Sequence, residues 1–224
     1  MLRNQEFIHI LDSMITTLKE TDLLTPEFDK VWAAGEKVKK LPASFPGRYG
    51  FPKPHLTLDA LLPKIANPHI GSDIRTGYAT ESCIVGISTL TQYDPKLAEK
   101  LKTNLPNTFL KLCNANAFEL LHYYPPGGYI GWHTNENNSG YQFIFTWSEK
   151  GDGYFQYYDS TLERIINIPD KPGWQIRRYH FGDRDNNEVL WHSAYTDCKR
   201  ITMCVKFNNT ITANKLHLQL ESEE

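Results

Sequence analysis

The residues of this chain best suited to chemistry are two histidines. His133 closes the run Tyr124-Pro-Pro-Gly-Gly-Tyr-Ile-Gly-Trp-His133-Thr-Asn135, and His192 follows Trp191 in a later β-type run. One imidazole in a strand-turn-strand pattern and one on a late strand can both be placed on a single redox metal. Arg200 stands eight residues beyond the second histidine, where a guanidinium can hold an anionic cosubstrate beside that metal. Such a site ordinarily takes a carboxylate as its third ligand, and two residues after His133 this chain has Asn135. Taken singly, either histidine also has an ordinary reading, because most of the eight histidines are expected at the surface or hydrogen-bonded in the core.

The elements that must position these groups change character along the chain. Phe7, Ile8, Ile10, Leu11, Met14, Ile15 and Leu18 recur at helical spacing and predict an amphipathic helix over 4–20. Thr25, Pro26 and Glu27 form a helix start, and that helix should run to about Lys39. The proline- and glycine-rich stretch 41–56 is expected to be irregular, and its length suits it to shaping a substrate entrance. Lys96 to Leu112 is helical again, with Pro106 as a kink or break.

From Phe118 onward short aromatic and β-branched runs alternate with turns. They fall at 118–124, 128–133, 141–148, 153–159, 162–168, 174–181, 188–194 and 199–207, separated by pairs such as Gly127-Gly128 and Pro172-Gly173. Eight short strands at this spacing predict a sandwich or barrel, and helices preceding strands predict a helical layer on one sheet face.

Composition narrows the function classes. A length of 224 residues fits one domain, here divided into a helical and irregular support (1–115), a β core (116–208) and a tail (209–224). Lys plus Arg number 24 against 26 Asp plus Glu, so the net charge of −2 gives no electrostatic case for nucleic acid as main partner. Lys37, Lys39, Lys40, Arg48 and Lys53 make a local basic stretch, best read as a solvated loop. Cys83, Cys113, Cys198 and Cys204 are dispersed without CxxC spacing, as buried thiols of a reducing compartment would be. No run reaches the roughly 18 apolar residues of a membrane span, and the start has no signal-peptide pattern, so a cytoplasmic location is expected.

Three pieces in order resemble the 2-oxoglutarate/iron(II) oxygenases, which include prolyl-4-hydroxylase-like and AlkB-like enzymes. They are the strand-turn-strand from Tyr124 to His133, the block Pro172-Gly173-Trp174 to Phe181, and His192 followed by Arg200. The resemblance covers roughly 116–208, and the Arg200 spacing is closer to the hydroxylase-like members. It implies a mainly β, α+β architecture: a double-stranded β-helix (jelly roll) with N-terminal helices packed on one sheet. It implies that His133 and His192 hold Fe(II), with Asn135 at the position of the third ligand, and that Arg200 and Tyr124 bind the distal carboxylate of 2-oxoglutarate. His122 would lie near the cosubstrate. Trp132 and Trp191 are expected to pack beneath the site. Arg177 and Arg178 alternate on a strand, so one should face the barrel mouth and one outward, with a surface salt bridge the better reading than an anionic-substrate contact. The implied reaction uses dioxygen, decarboxylates 2-oxoglutarate to succinate and hydroxylates a C–H bond, of a protein side chain or small molecule sooner than a nucleic acid.

Asn135 departs from that family's pattern and leaves four readings open. The amide binds weakly while 2-oxoglutarate secures the metal; Glu136 swings in as the carboxylate; the position stands open for halide, as in halogenases; or the jelly roll is catalytically impaired and binds only. A metal-dependent cupin-like enzyme without 2-oxoglutarate is a further alternative. The loop Glu136 to Gly140 after the motif is polar and glycine-ended, as a lid would be.

Overall fold

A computed structural model of the chain describes residues 9–13, 15–16, 56–67, 82–86, 95–96, 99, 107, 110–111, 113–135, 139–182, 189–208 and 213–214. The expected helix over 25–39, the irregular stretch 41–55 with its basic residues, Glu136 and most of the tail lie outside these residues. The described positions within 9–16 are helical, as are those from 95 to 113, where the periodicity placed helices.

The strands follow the turn punctuation closely. They are β1 (Ser82–Cys83), β2 (Val85–Gly86), β3 (Ala117–Tyr124), β4 (Tyr129–His133) and β5 (Gly140–Ser148). After them come β6 (Gly153–Asp159), β7 (Arg164–Pro169), β8 (Gly173–Phe181), β9 (His192–Thr196) and β10 (Arg200–Phe207). They form two five-stranded sheets in the orders β2-β3-β10-β5-β8 and β1-β4-β9-β6-β7, with every pairing antiparallel. Consecutive strands from β3 onward mostly pass from one sheet to the other, which winds the chain into a double-stranded β-helix. The two short strands β1 and β2 extend one edge of each sheet. They carry too little pattern to be seen in the sequence.

Register assigns the faces. On the first sheet Arg200 lies opposite Tyr124 and Ser148, Thr202 opposite His122 and Thr146, and Thr146 opposite Gln175. With period 2, Tyr124, His122, Thr146, Ser148, Arg177, Tyr179, Arg200 and Thr202 share one face. Tyr124 clusters with Phe155 and Ala194 of the second sheet, so this polar face is the barrel interior. The opposite face carries Phe143, Phe145, Ile201, Met203, Val205 and Phe207, all essentially without exposed surface. This sheet therefore puts its most apolar face outward and its polar face toward the lumen.

The second sheet is covered on its outside by helix α1 (Leu58–Ala66), which the sequence reading passed over. Thr57 caps it, accepting a hydrogen bond from the Ala60 amide at 3.3 Å, and Asp59 lies in the first turn. Pro63 inside the helix disguised it. Leu61, fully buried, packs with Trp132 and Trp191, flanked by Tyr158 and Ile165. The two tryptophans beside the histidines are thus structural supports under the site, as their positions suggested. Cys113, Cys198 and Cys204 are buried and form no disulfide. Among the described residues no helix is long and apolar enough to cross a membrane.

Candidate functional site

The β3–β4 turn sets the first histidine. Gly127 adopts φ +80°, a conformation that costs glycine little, and the Gly128 amide donates to the Pro125 carbonyl at 2.7 Å. The chain then enters β4 with His133 at its end, paired in register with His192 at the start of β9. The ring centroids of His133 and His192 are 4.0 Å apart. Each Nδ1 donates to a main-chain carbonyl two residues back, His133 to Gly131 at 2.7 Å and His192 to Leu190 at 2.8 Å. That bond fixes the tautomer and leaves each Nε2 with its lone pair for another partner.

Both imidazoles are kept neutral. Burial lowers the His133 pKa to about 4, against the opposing pull of the Gly131 carbonyl. Burial, then the His133 charge, lowers His192 well below the usual range. Phe155 stacks on His192 at 5.6 Å and Phe181 lies 4.8 Å from it, which keeps water from the ring. A neutral imidazole is the form that ligates a metal, so the pair has the donor chemistry of a divalent transition-metal site.

Asn135 joins them. Its side-chain amide meets His192 Nε2 at 3.3 Å, with the nitrogen toward the ring, and it is only 8% exposed. Its backbone is left-handed at φ 53°, which asparagine tolerates better than most residues. The structure therefore brings together all three residues proposed to hold the metal. Among the described residues no group of three His, Cys, Asp or Glu that could hold a metal ion is found.

The residues expected to bind the cosubstrate lie across the lumen, on the interior face of the first sheet. Arg200 is 1% exposed and points into the lumen, while Lys199 beside it does not share its burial. The Arg200 Cζ lies 4.9 Å above the Tyr124 ring. Burial raises the Tyr124 pKa, with the Arg200 charge opposing it, so the phenol is held as a neutral donor. His122 faces the lumen beside Tyr124, their ring centroids 6.4 Å apart. Its pKa is lowered to about 4, chiefly by burial and then by the charges of His133 and Arg200.

One residue of this region escaped the sequence reading. Asp170, in the β7–β8 turn with its side chain fully buried, accepts from Arg200 Nε at 2.7 Å and from Arg177 Nη1 at 3.1 Å. The Pro169-Asp-Lys-Pro-Gly context marked it as turn chemistry, where aspartate is ordinary and exposed. Of the adjacent arginines, Arg177 faces inward to this carboxylate and Arg178 outward over the Tyr141 ring at 4.9 Å.

No family model matches the chain, and no curated protein matches it. Among solved structures it is similar to Drosophila melanogaster CENP-C bound to CAL1, at 10% identity over 39% of this chain and 62% of that one, with a TM-score of 0.28. A recombinant oxalate oxidase in complex with glycolate aligns at 12% identity over 40% of this chain and 41% of its own, with a TM-score of 0.30. A Pseudomonas putida prolyl-4-hydroxylase aligns at 12% identity over 80% of this chain and 100% of its own, with a TM-score of 0.34. The chain spans less than two thirds of the first two structures. At these scores the alignments decide neither family nor activity, and the jelly-roll fold rests on the strand topology itself.

Proposed function

We propose that the protein is a 2-oxoglutarate- and Fe(II)-dependent oxygenase that hydroxylates a C–H bond. The observation that carries this reading is the His133–His192 pair: two neutral imidazoles 4.0 Å apart, each tautomer fixed by a carbonyl, inside a jelly-roll lumen that also holds Arg200. His133 and His192 would hold the metal through Nε2, and Asn135 would add its amide oxygen after a flip of the side chain. When bound, iron and 2-oxoglutarate supply the oxidising chemistry, with decarboxylation to succinate.

The chain's own residues do the rest. Arg200, whose Nη1 has no hydrogen-bond partner, binds the distal carboxylate, and the Tyr124 phenol donates beside it. His122 stays neutral and adds no competing charge between the two ends of the lumen. Phe155 and Phe181 exclude water around His192, and the tryptophans under the sheet hold the ligand strands in register.

An anaerobic titration with Fe(II) and then 2-oxoglutarate tests the reading. A saturable visible charge-transfer band that is lost in Arg200→Ala supports it; no band at saturating Fe(II) and 2-oxoglutarate overturns it. The Asp170–Arg200 ion pair favours one second reading, a metal-dependent jelly roll that uses no 2-oxoglutarate because its arginine serves the fold. That reading expects metal binding with no such band, and unchanged metal binding in Arg200→Ala.

A further inference from the structure

Outside the lumen, the contact between α1 and the end of β4 holds polar side chains that the proposed reaction does not use. Its layout follows from two anchors. Gln156 Nε2 donates to the Leu56 carbonyl at 2.7 Å and to Ser193 Oγ at 2.8 Å, which ties the approach to α1 to the middle of the second sheet. Leu61 then packs on Trp132 and on Trp191, which lies two residues before Ser193. Because β4 runs antiparallel to β9, α1 advances in the direction of β4. Lys64 follows Leu61 by three residues on the same helix face, so it comes level with Thr134, just past the end of that strand.

Three side chains of this contact lack partners. Lys64 is 7% exposed, and among the described residues its ammonium has no ion-pair or hydrogen-bond partner. The Trp132 indole N–H and the Thr134 hydroxyl are buried without a partner too, in residues with no exposed surface. Trp132 and Thr134 flank His133 in the chain and so face the opposite way, toward α1. A buried ammonium without a counter-ion is unfavourable, and orphaned buried donors are rare. One cation and two neutral donors on the same side of β4 are the donor set for an anion. The charge also reaches the histidine pair: burial is the main cause that holds His133 neutral, and the Lys64 charge adds to it. A charge that opposes a proton on His133 opposes a divalent cation there as well.

We infer that Lys64, Trp132 and Thr134 bind one small tetrahedral oxyanion behind His133, and that this anion raises the metal affinity of the histidine pair by cancelling the Lys64 charge. An ammonium is a compact point charge with donors in several directions, which suits a phosphate- or sulfate-like ion better than a planar carboxylate, the partner of arginine's fork. The receptor is independent of the chemistry in the lumen. Its effect on the metal rests on the function proposed above, in which His133 is a ligand.

Calorimetric titration of the metal-free whole protein with sodium sulfate, at constant ionic strength, tests the receptor. Lys64→Met keeps the apolar stem and should weaken sulfate binding about tenfold or more, and Thr134→Val about threefold or more. No binding in wild type, or equal binding in Lys64→Met, overturns the receptor, and Thr134→Val decides if Lys64→Met does not fold. Tighter binding of acetate than of sulfate overturns the tetrahedral class. Competition for Fe(II) against a chromophoric chelator tests the coupling. Saturating sulfate should raise the Fe(II) affinity of wild type about fivefold or more, as coupled sites typically do. Lys64→Met should start at the higher affinity and gain nothing from sulfate. A wild-type affinity that ignores sulfate overturns the coupling. Failure to bind Fe(II) under any condition removes the oxygenase reading and the coupling with it, while the sulfate isotherms still decide the receptor.

Discussion

At the scale of single residues, the proposed function makes Asn135 the residue that should set how tightly the site holds a metal. Its amide already sits against His192 Nε2, and its left-handed backbone is one that aspartate also adopts readily. Asn135→Asp therefore adds a negative charge with little strain. Fe(II) affinity of the apoprotein should rise about tenfold or more, because a unit charge beside a divalent ion in a poorly solvated site is worth more than 1.4 kcal/mol. Competition against a chromophoric chelator measures this, and an unchanged affinity would take Asn135 out of the ligand set. His133, His192, Arg200 and Tyr124 were legible in the sequence because each closes or opens a strand with distinctive neighbours. Asp170 was not, since nothing in a local string distinguishes a buried turn aspartate from a solvated one.

At the scale of elements, two contacts hold the lumen in shape. Gly153 opens β6, and a Cβ there would lie 2.8 Å from Asp170 Oδ2, 2.8 Å from the Tyr195 carbonyl and 3.0 Å from Thr196 Cβ. Gly153→Ala must displace main chain or the carboxylate that binds both arginines, and should cost about 1–3 kcal/mol as overpacking does. Urea unfolding would show a lower midpoint, and a midpoint equal to wild type would mean that the turn yields freely. On the outer side, Leu61 is fully buried against Trp132 and Trp191. Leu61→Ala should lose about 2–5 kcal/mol, read from the same unfolding curves. The strands were legible because aromatic and β-branched runs are separated by glycine and proline turns. Helix α1 was masked by Pro63, and β1 and β2 are too short to carry a period.

At the scale of the whole molecule, the buried imidazoles tie stability to pH. The folded pKa of His133 and of His122 is lowered to about 4 from 6.5. A depressed histidine pKa means that the unfolded chain takes up protons the folded one refuses. Stability is then fully present above pH 6.5 and is lost as pH falls toward 4. His133 alone should contribute roughly 3 kcal/mol to that loss. Denaturant midpoints of metal-free protein between pH 7 and 4.5 should fall steadily, more shallowly in His122→Gln; a flat profile would contradict neutral burial.

The outward apolar face of the first sheet has a consequence for dissecting the molecule. Phe143, Phe145, Ile201, Met203, Val205 and Phe207 are all buried although they face away from the lumen. A fragment of 113–208 would keep both histidines and both inward arginines, yet it would turn a greasy flank to water. It should bind a hydrophobic dye such as anilinonaphthalene sulfonate and self-associate at concentrations where the intact chain stays dispersed. A fragment that stays monomeric and binds no dye would show the β core to be a detachable cassette.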